Sequence, residues 1–144
     1  MERKTLKELW NDHSDLPTEP GIYRILIPDG MEITFKERIE NHPNDAYPIS
    51  ELQEKYDKSR TSGILYIGKA GGRRGLRQRL GQYLRYGFSS GQNHRGGRAI
   101  FQIEGFENLI CAYEVCPNCE EVERQQLQEF RENYKTFPVA NWRE

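Results

Sequence analysis

Residues 63 to 80 read GILYIGKAGGRRGLRQRL. Lys69, Arg73, Arg74, Arg77 and Arg79 follow a short apolar run, and no acid interrupts them. The bias extends further. From Lys58 to Ile103, 46 residues carry ten Lys or Arg and no Asp or Glu; the rest of the chain holds 11 basic and 22 acidic residues. The formal net charge is only −1, so the chain is polarised rather than basic. A field of one sign on one surface attracts polyanions, with phosphate backbones the first candidates. Tyr66, Tyr83, Tyr86, Phe88 and Phe101 lie within the basic window, where they serve either to stack on bases or to fill a core.

One acid stands out for the opposite reason. In PNCEEVERQQLQEFRENY, read as a helix at about 100° per residue, Leu127, Phe130 and Tyr134 fall within about 40° of Glu123. Glu123 thus sits on the face meant for the core, and Glu129 points away from it. An inward carboxylate is costly unless it is paired or bound to a metal. In RGLRQRLGQYLRYG, Leu76, Leu80 and Tyr83 form the buried stripe, with Arg79 on its flank and Arg85 opposite. Arg79 is either a boundary residue whose stem covers apolar surface or a cation aimed along a groove.

The elements that must position these side chains follow from pattern. RKTLKELWNDH predicts a short helix. GIYRILI is a β-branched strand, PDG a turn, and MEITFK a returning hairpin partner. SELQEKYDKS predicts a helix capped by Ser50, and GILYIG a second core strand. The arginine helix ends near Gly87, NLICAYEV is a strand, and Asn118 caps the glutamate helix. The reading is one α+β domain over residues 1–144, with an N-terminal helical extension at 1–19. No apolar run is long enough to cross a bilayer, and MERKTLKELWNDH lacks the apolar stretch of a signal peptide, so a cytoplasmic protein is expected. Three cysteines suggest free thiols. CPNC at 116–119 lacks two of the ligands zinc needs and reads as a strand-to-helix turn. His13 and His42 fall in loops.

GIY at 21–23, YIG at 66–68, GLRQRLGQYL, a Glu-bearing helix and PVAN occur in that order over roughly residues 20 to 143. This arrangement resembles the GIY-YIG endonuclease family, and YIGKA followed by LRQRLGQYL is similar to nuclease domains of the UvrC type in DNA excision repair. The resemblance implies a compact fold around a three-stranded antiparallel sheet and divalent-metal-dependent hydrolysis of DNA phosphodiesters, in repair or restriction. It carries catalytic roles to Tyr23, Tyr66, Lys69, Arg79, Tyr83, His94 and Asn141, and the metal, Mg²⁺ or Mn²⁺, to Glu123. His94 lies farther beyond the arginine than is usual. Arg73, Arg74, Arg77, Arg95 and Arg98 are expected to contact DNA.

The residue types suit that chemistry. A tyrosine with a pKa near 10 is a poor base at neutral pH, and Lys69 and Arg79 are expected to favour its phenolate. Arg79 also offsets charge on the phosphoryl group. Mg²⁺ accepts a single protein carboxylate because it keeps waters and takes phosphate oxygens. Asn141 either meets the metal shell or bonds to backbone. Three features depart from the family. Forty-two residues separate Tyr23 from Tyr66, which marks 28–62 as an insertion and a candidate for specificity or homodimer contacts. The long AGGRR loop lets Arg77 compete with Arg79. Glu129 has the more UvrC-like spacing to Asn141, although the helical stripe favours Glu123. The alternatives are a non-catalytic nucleic-acid-binding module on the same fold and a basic adaptor for an acidic protein.

Overall fold

A computed structural model describes residues 1–91 and 94–142. Four strands, β1 (Glu2–Thr5), β2 (Gly21–Leu26), β3 (Ile64–Ala70) and β4 (Ile110–Val115), form one antiparallel sheet in the order β1-β4-β2-β3. The helices are α1 (Leu6–Asn11), α2 (Ile49–Ser59), α3 (Gly75–Phe88) and α4 (Cys119–Tyr134), with short 3₁₀ turns between β3, β4 and their neighbours. The class is α+β, as expected.

The N-terminal expectation needs correction. Its first residues form β1 rather than helix, so the sheet has four strands and not three. Glu2 to Thr5 pair with Tyr113 to Ile110 and cover the outer edge of β4. Thr5 then ends the strand and starts α1 with a capping box. Its hydroxyl accepts from the Glu8 N–H at 3.1 Å, and Glu8 Oε1 accepts from the Thr5 N–H at 2.8 Å. The expected MEITFK strand is also absent. Both edges of β2 are taken, by β3 and β4, so no hairpin partner can pair there. The segment keeps one bridge, Phe35 to Ile103, and packs Phe35 into the core. Ser50 does not cap α2: the helix starts at Ile49 after Pro48, which places Ser50 in its first turn. Asn118 holds the cap position of α4, but its side chain accepts from Cys116 Sγ rather than from the helix.

β3 is buried without a break from Leu65 to Gly68, as a strand covered on both faces must be. The main core joins Tyr23, Ile25 and Leu65 to Leu76, Leu80 and Leu84 of α3 and to Leu6 and Leu9 of α1. A smaller cluster, Ile67 with Leu127 and Phe130, seats α4. The 28–62 segment contributes Phe35, Ile39, Leu52 and Tyr56 to the main core. Buried Gln102 holds this segment by donating to the Lys36 and Tyr47 carbonyls and accepting from the Tyr47 N–H. Cys111, Cys116 and Cys119 are free thiols. Among the described residues no helix is long and apolar enough to cross a membrane.

Candidate functional site

The two glycine-bearing triplets are adjacent on paired strands, with Tyr23 opposite Gly68 and Tyr66 opposite Ile25. A Cβ on Gly68 would lie 2.5 Å from Tyr23 Cζ, so the bare backbone is what lets the Tyr23 ring lie across β3. A Cβ on Gly21 would meet the Glu114 carbonyl at 2.4 Å and Leu76 Cδ1 at 2.5 Å. That glycine lets α3 pack directly against the sheet.

Three tyrosines gather beneath this contact. Ring centroids of Tyr23 and Tyr66 are 5.9 Å apart, those of Tyr66 and Tyr83 5.9 Å, and those of Tyr23 and Tyr83 6.1 Å. They are not equivalent. Tyr23 is fully buried, and among the described residues its hydroxyl makes no well-formed hydrogen bond beyond its approach to the Tyr66 phenol. Tyr83 is also fully buried and donates to the Gly97 carbonyl at 2.7 Å. Tyr66 alone of the three lines open space. His94 is buried, with its ring centroid 4.6 Å from that of Tyr83 and the Gly96 backbone beside it.

A cleft of about 400 Å³ opens above Tyr66, between β3, α3 and α4. Tyr66 and Lys69 come from β3, Arg79, Gln78 and Gln82 from α3, and Glu123 from α4. A second cavity of about 450 Å³ continues past Tyr66 and Glu123 to Arg95, Tyr47 and Trp142. Arg79 is half-buried and donates to Gln82 Oε1 at 3.4 Å. Glu123 is half-buried at the mouth of the core stripe and turns into the cleft rather than the core. Among the described residues it has no hydrogen bond or ion pair. Glu129 is exposed and lines neither space.

Burial governs the electrostatics. It pushes the Tyr66 phenol up to about 12; the Tyr23 hydroxyl and, more weakly, Arg79 oppose the rise without prevailing, and nearby Glu123 adds to it. The expectation that cations would depress a tyrosine here is therefore corrected: desolvation of the phenolate outweighs the guanidinium. Burial also raises Tyr23 and Tyr83 well above the ordinary phenol value. Lys69 pairs with exposed Glu120 at 3.7 Å and also pulls on Glu123 from a distance. Burial raises that carboxyl, against the pull of Lys69 and Arg79. Burial, with help from Arg79, drives His94 down to about 3, so its ring is neutral at physiological pH.

Other expected site residues lie outside the first cleft. Asn141 is buried in the wall of the second cavity, which Tyr66 and Glu123 also line, and its amide bonds to β3, accepting from the Ile67 N–H at 3.0 Å and donating to the Ile67 carbonyl at 2.9 Å. Of its two expected uses, the backbone is the one observed. Arg77 donates from Nε to the Leu16 carbonyl at 2.9 Å and lines a different groove, shared with Arg74, so it does not compete with Arg79 for the cleft. Arg98 is committed: it meets Asp45 at 3.3 Å, donates to the His94 carbonyl and lies over Tyr86. Arg73 is exposed beside the cleft loop, and Arg95 is exposed at the second cavity. Sequence reasoning missed Gln78, Gln82, Tyr47 and Trp142. The glutamines sit at helical offsets from Arg74 and Arg79 and were legible in principle. The Tyr47–Trp142 stack, with centroids 4.5 Å apart, joins distant segments and had no local signal.

Among the described residues no three His, Cys, Asp or Glu side chains cluster as a ready-made metal cage. The cleft does hold one unpartnered, half-buried carboxylate, Glu123, and that donor set suits a hard cation that completes its shell with water and phosphate oxygens. No family model, curated protein or solved structure matches the chain.

Proposed function

We propose that this protein is a divalent-metal-dependent DNA endonuclease of the GIY-YIG type. One observation carries the reading. Tyr66, Lys69, Arg79 and Glu123, drawn from three elements, wall a single open cleft, and the only carboxylate among them has no structural partner. A structural ion pair would have explained an inward glutamate, and none is made among the described residues.

Each side chain has a use in phosphodiester hydrolysis. Glu123 would hold Mg²⁺ or Mn²⁺, which when bound supplies positive charge against the phosphate oxygens. Arg79 and Lys69 position the phosphate and offset charge that builds on its oxygens. Tyr66 is placed to take a proton from the attacking water. With a phenol pKa of about 12, only about one Tyr66 in 10⁵ is ionised at pH 7, so the base is strong but scarce. Tyr23 and Tyr83 act from behind: their buried rings fix the angle of Tyr66.

The direct test is nicking of supercoiled plasmid and of branched DNA in Mg²⁺, in Mn²⁺ and in EDTA. Cleavage in either metal and none in EDTA is the expected result. Tight DNA binding without cleavage in any metal overturns the enzyme reading and leaves a binding module.

A further inference from the structure

A second concavity takes no part in this chemistry. It lies on the other flank of α3, encloses about 610 Å³ and is walled by α3, the end of α1 and the loop that follows. Its cations are Arg74, Arg77 and Arg85, and Asp12 is the one acid lining it. The Asp12 carboxylate is occupied locally, since the Ser14 hydroxyl and N–H donate to its Oδ1 at 2.6 and 3.0 Å. Among the described residues none of the three guanidiniums meets a carboxylate.

The groove is shaped as well as charged. Arg77 is held in place by its bond to the Leu16 carbonyl. Beside the groove, Gly81 brings Arg85 and His13 close to the helix: a Cβ there would be in ordinary contact with both, 3.4 Å from Arg85 Nη1 and 3.5 Å from His13 Nε2. The guanidinium and the imidazole therefore converge over the same helix turn. Arg74, Gln78, Gly81, Gln82 and Arg85 recur on successive turns, so they form one edge of α3. From Arg74 to Arg85 that edge runs about 16 Å at 1.5 Å per residue, the length of about five nucleotide steps of a B-form strand.

Gln78 and Gln82 line both the cleft and this groove. They are the ridge between two cationic troughs on either side of one helix. A helix is about 10–12 Å across, and the major groove of B-DNA, about 12 Å wide, admits one. A single strand lying in the cleft would have to climb the ridge to reach the second trough. A duplex sets its two backbones on either side without a climb.

We propose that the exposed edge of α3 docks along the major groove of duplex DNA. The backbone of the strand to be cut lies in the Tyr66–Glu123 cleft, and the backbone of the complementary strand lies in the Arg74–Arg77–Arg85 groove. Exposed Gln78 lies between them, facing base edges, where a glutamine amide can pair with adenine. The assignment of the cut strand rests on the nuclease reading; the two-strand straddle does not. It makes duplex, rather than single-stranded, DNA the ligand.

The test compares the parent protein with the double variant Arg74→Gln/Arg85→Gln, without divalent metal, on a short labelled duplex and on its separate strands. Arg74 and Arg85 are exposed, and melting curves check that the variant folds. The double variant should bind duplex at least tenfold more weakly, with the log–log salt slope shallower by about 1.8, or about 0.9 for each phosphate no longer neutralised. Its affinity for the single strands should match the parent's. A fraction of misfolded protein lowers the amplitude but leaves the slope unchanged, so the slope keeps the result readable. Unchanged duplex affinity and slope overturn the proposal, and so does an equal loss on duplex and single strands, which would put one strand in both troughs. Nicking separates the two claims. A parent that nicks plasmid beside a variant with undiminished duplex binding sinks the straddle alone. The expected variant effects in a parent that never nicks sink the nuclease reading alone.

Discussion

At the scale of single residues, the site depends on which groups have partners and which do not. Tyr23, Tyr66 and Tyr83 share one ring cluster, but only Tyr66 reaches the cleft. Tyr66→Phe should therefore cut the nicking rate by about 10²–10⁴, the usual range for losing a general base. In the parent, the rate should rise with pH from 7 to 9, because the phenol titrates only near 12. A single-turnover pH profile checks both. A profile that is flat over that range, with folding intact, removes Tyr66 as the base. Glu129→Gln should leave nicking and melting unchanged, since Glu129 is exposed and away from the cleft. Part of this was legible in residue types and spacing: helical periodicity put Glu123 on an inward face and Arg79 on the flank of its stripe, and the family resemblance supplied their expected roles. The direction of the Tyr66 shift was not, because depth of burial depends on how three distant segments close over the ring. The same limit hid the commitment of Arg98 to Asp45, a pairing between segments 53 positions apart.

At the scale of elements, the sheet's exposed edges are managed in two ways that affect the site. β1 covers β4 at one side. At the other, β3 would present unpaired backbone, a liability in any edge strand. The segment after α4 covers it: the Ala140 N–H donates to the Leu65 carbonyl at 2.9 Å, and the Asn141 amide meets both polar groups of Ile67. Ile67 is the next residue after Tyr66, so the Asn141 amide fixes the strand that carries Tyr66. Asn141→Ala should lower stability by about 1–3 kcal/mol, the cost of stranding buried polar groups, and should reduce nicking in proportion to the folded fraction. Chemical denaturation beside nicking tests this. Lost nicking at unchanged stability would instead give Asn141 a direct role. Core strands β2, β3 and β4 and helices α2 to α4 could be read from periodicity. β1 could not, since ERKT carries no strand pattern and pairs only because β4 leaves an open edge more than 100 positions away. MEITFK has a strand's composition, but β2 has no free side left to offer it.

At the scale of the whole molecule, charge polarity and burial set the response to salt and pH. DNA affinity should fall steeply with salt, with a log–log slope steeper than about −3 if Lys69, Arg73, Arg74, Arg77 and Arg95 neutralise phosphates. A slope near zero removes the phosphate-binding surface. Stability should decline at both pH extremes. Below pH 6.5 the unfolded chain protonates His94 while the folded state resists to about 3, so this group costs stability at about 1.4 kcal/mol per pH unit through that window. The raised Glu123 partly offsets it. Above pH 10 the unfolded tyrosines ionise while folded Tyr66 holds its proton to about 12, so stability falls again as pH rises. Melting temperature against pH, with His94→Gln flattening the acid limb, checks the signs. The central claim is that this molecule cuts DNA at the Glu123 cleft, and the most direct measurement is the Mg²⁺-dependent plasmid nicking rate of Glu123→Gln beside its melting temperature. The account predicts that nicking is abolished and that melting is unchanged or raised, because Glu123 has no structural partner to lose. A Glu123→Gln protein that nicks at the parent rate, or that melts far earlier, contradicts it.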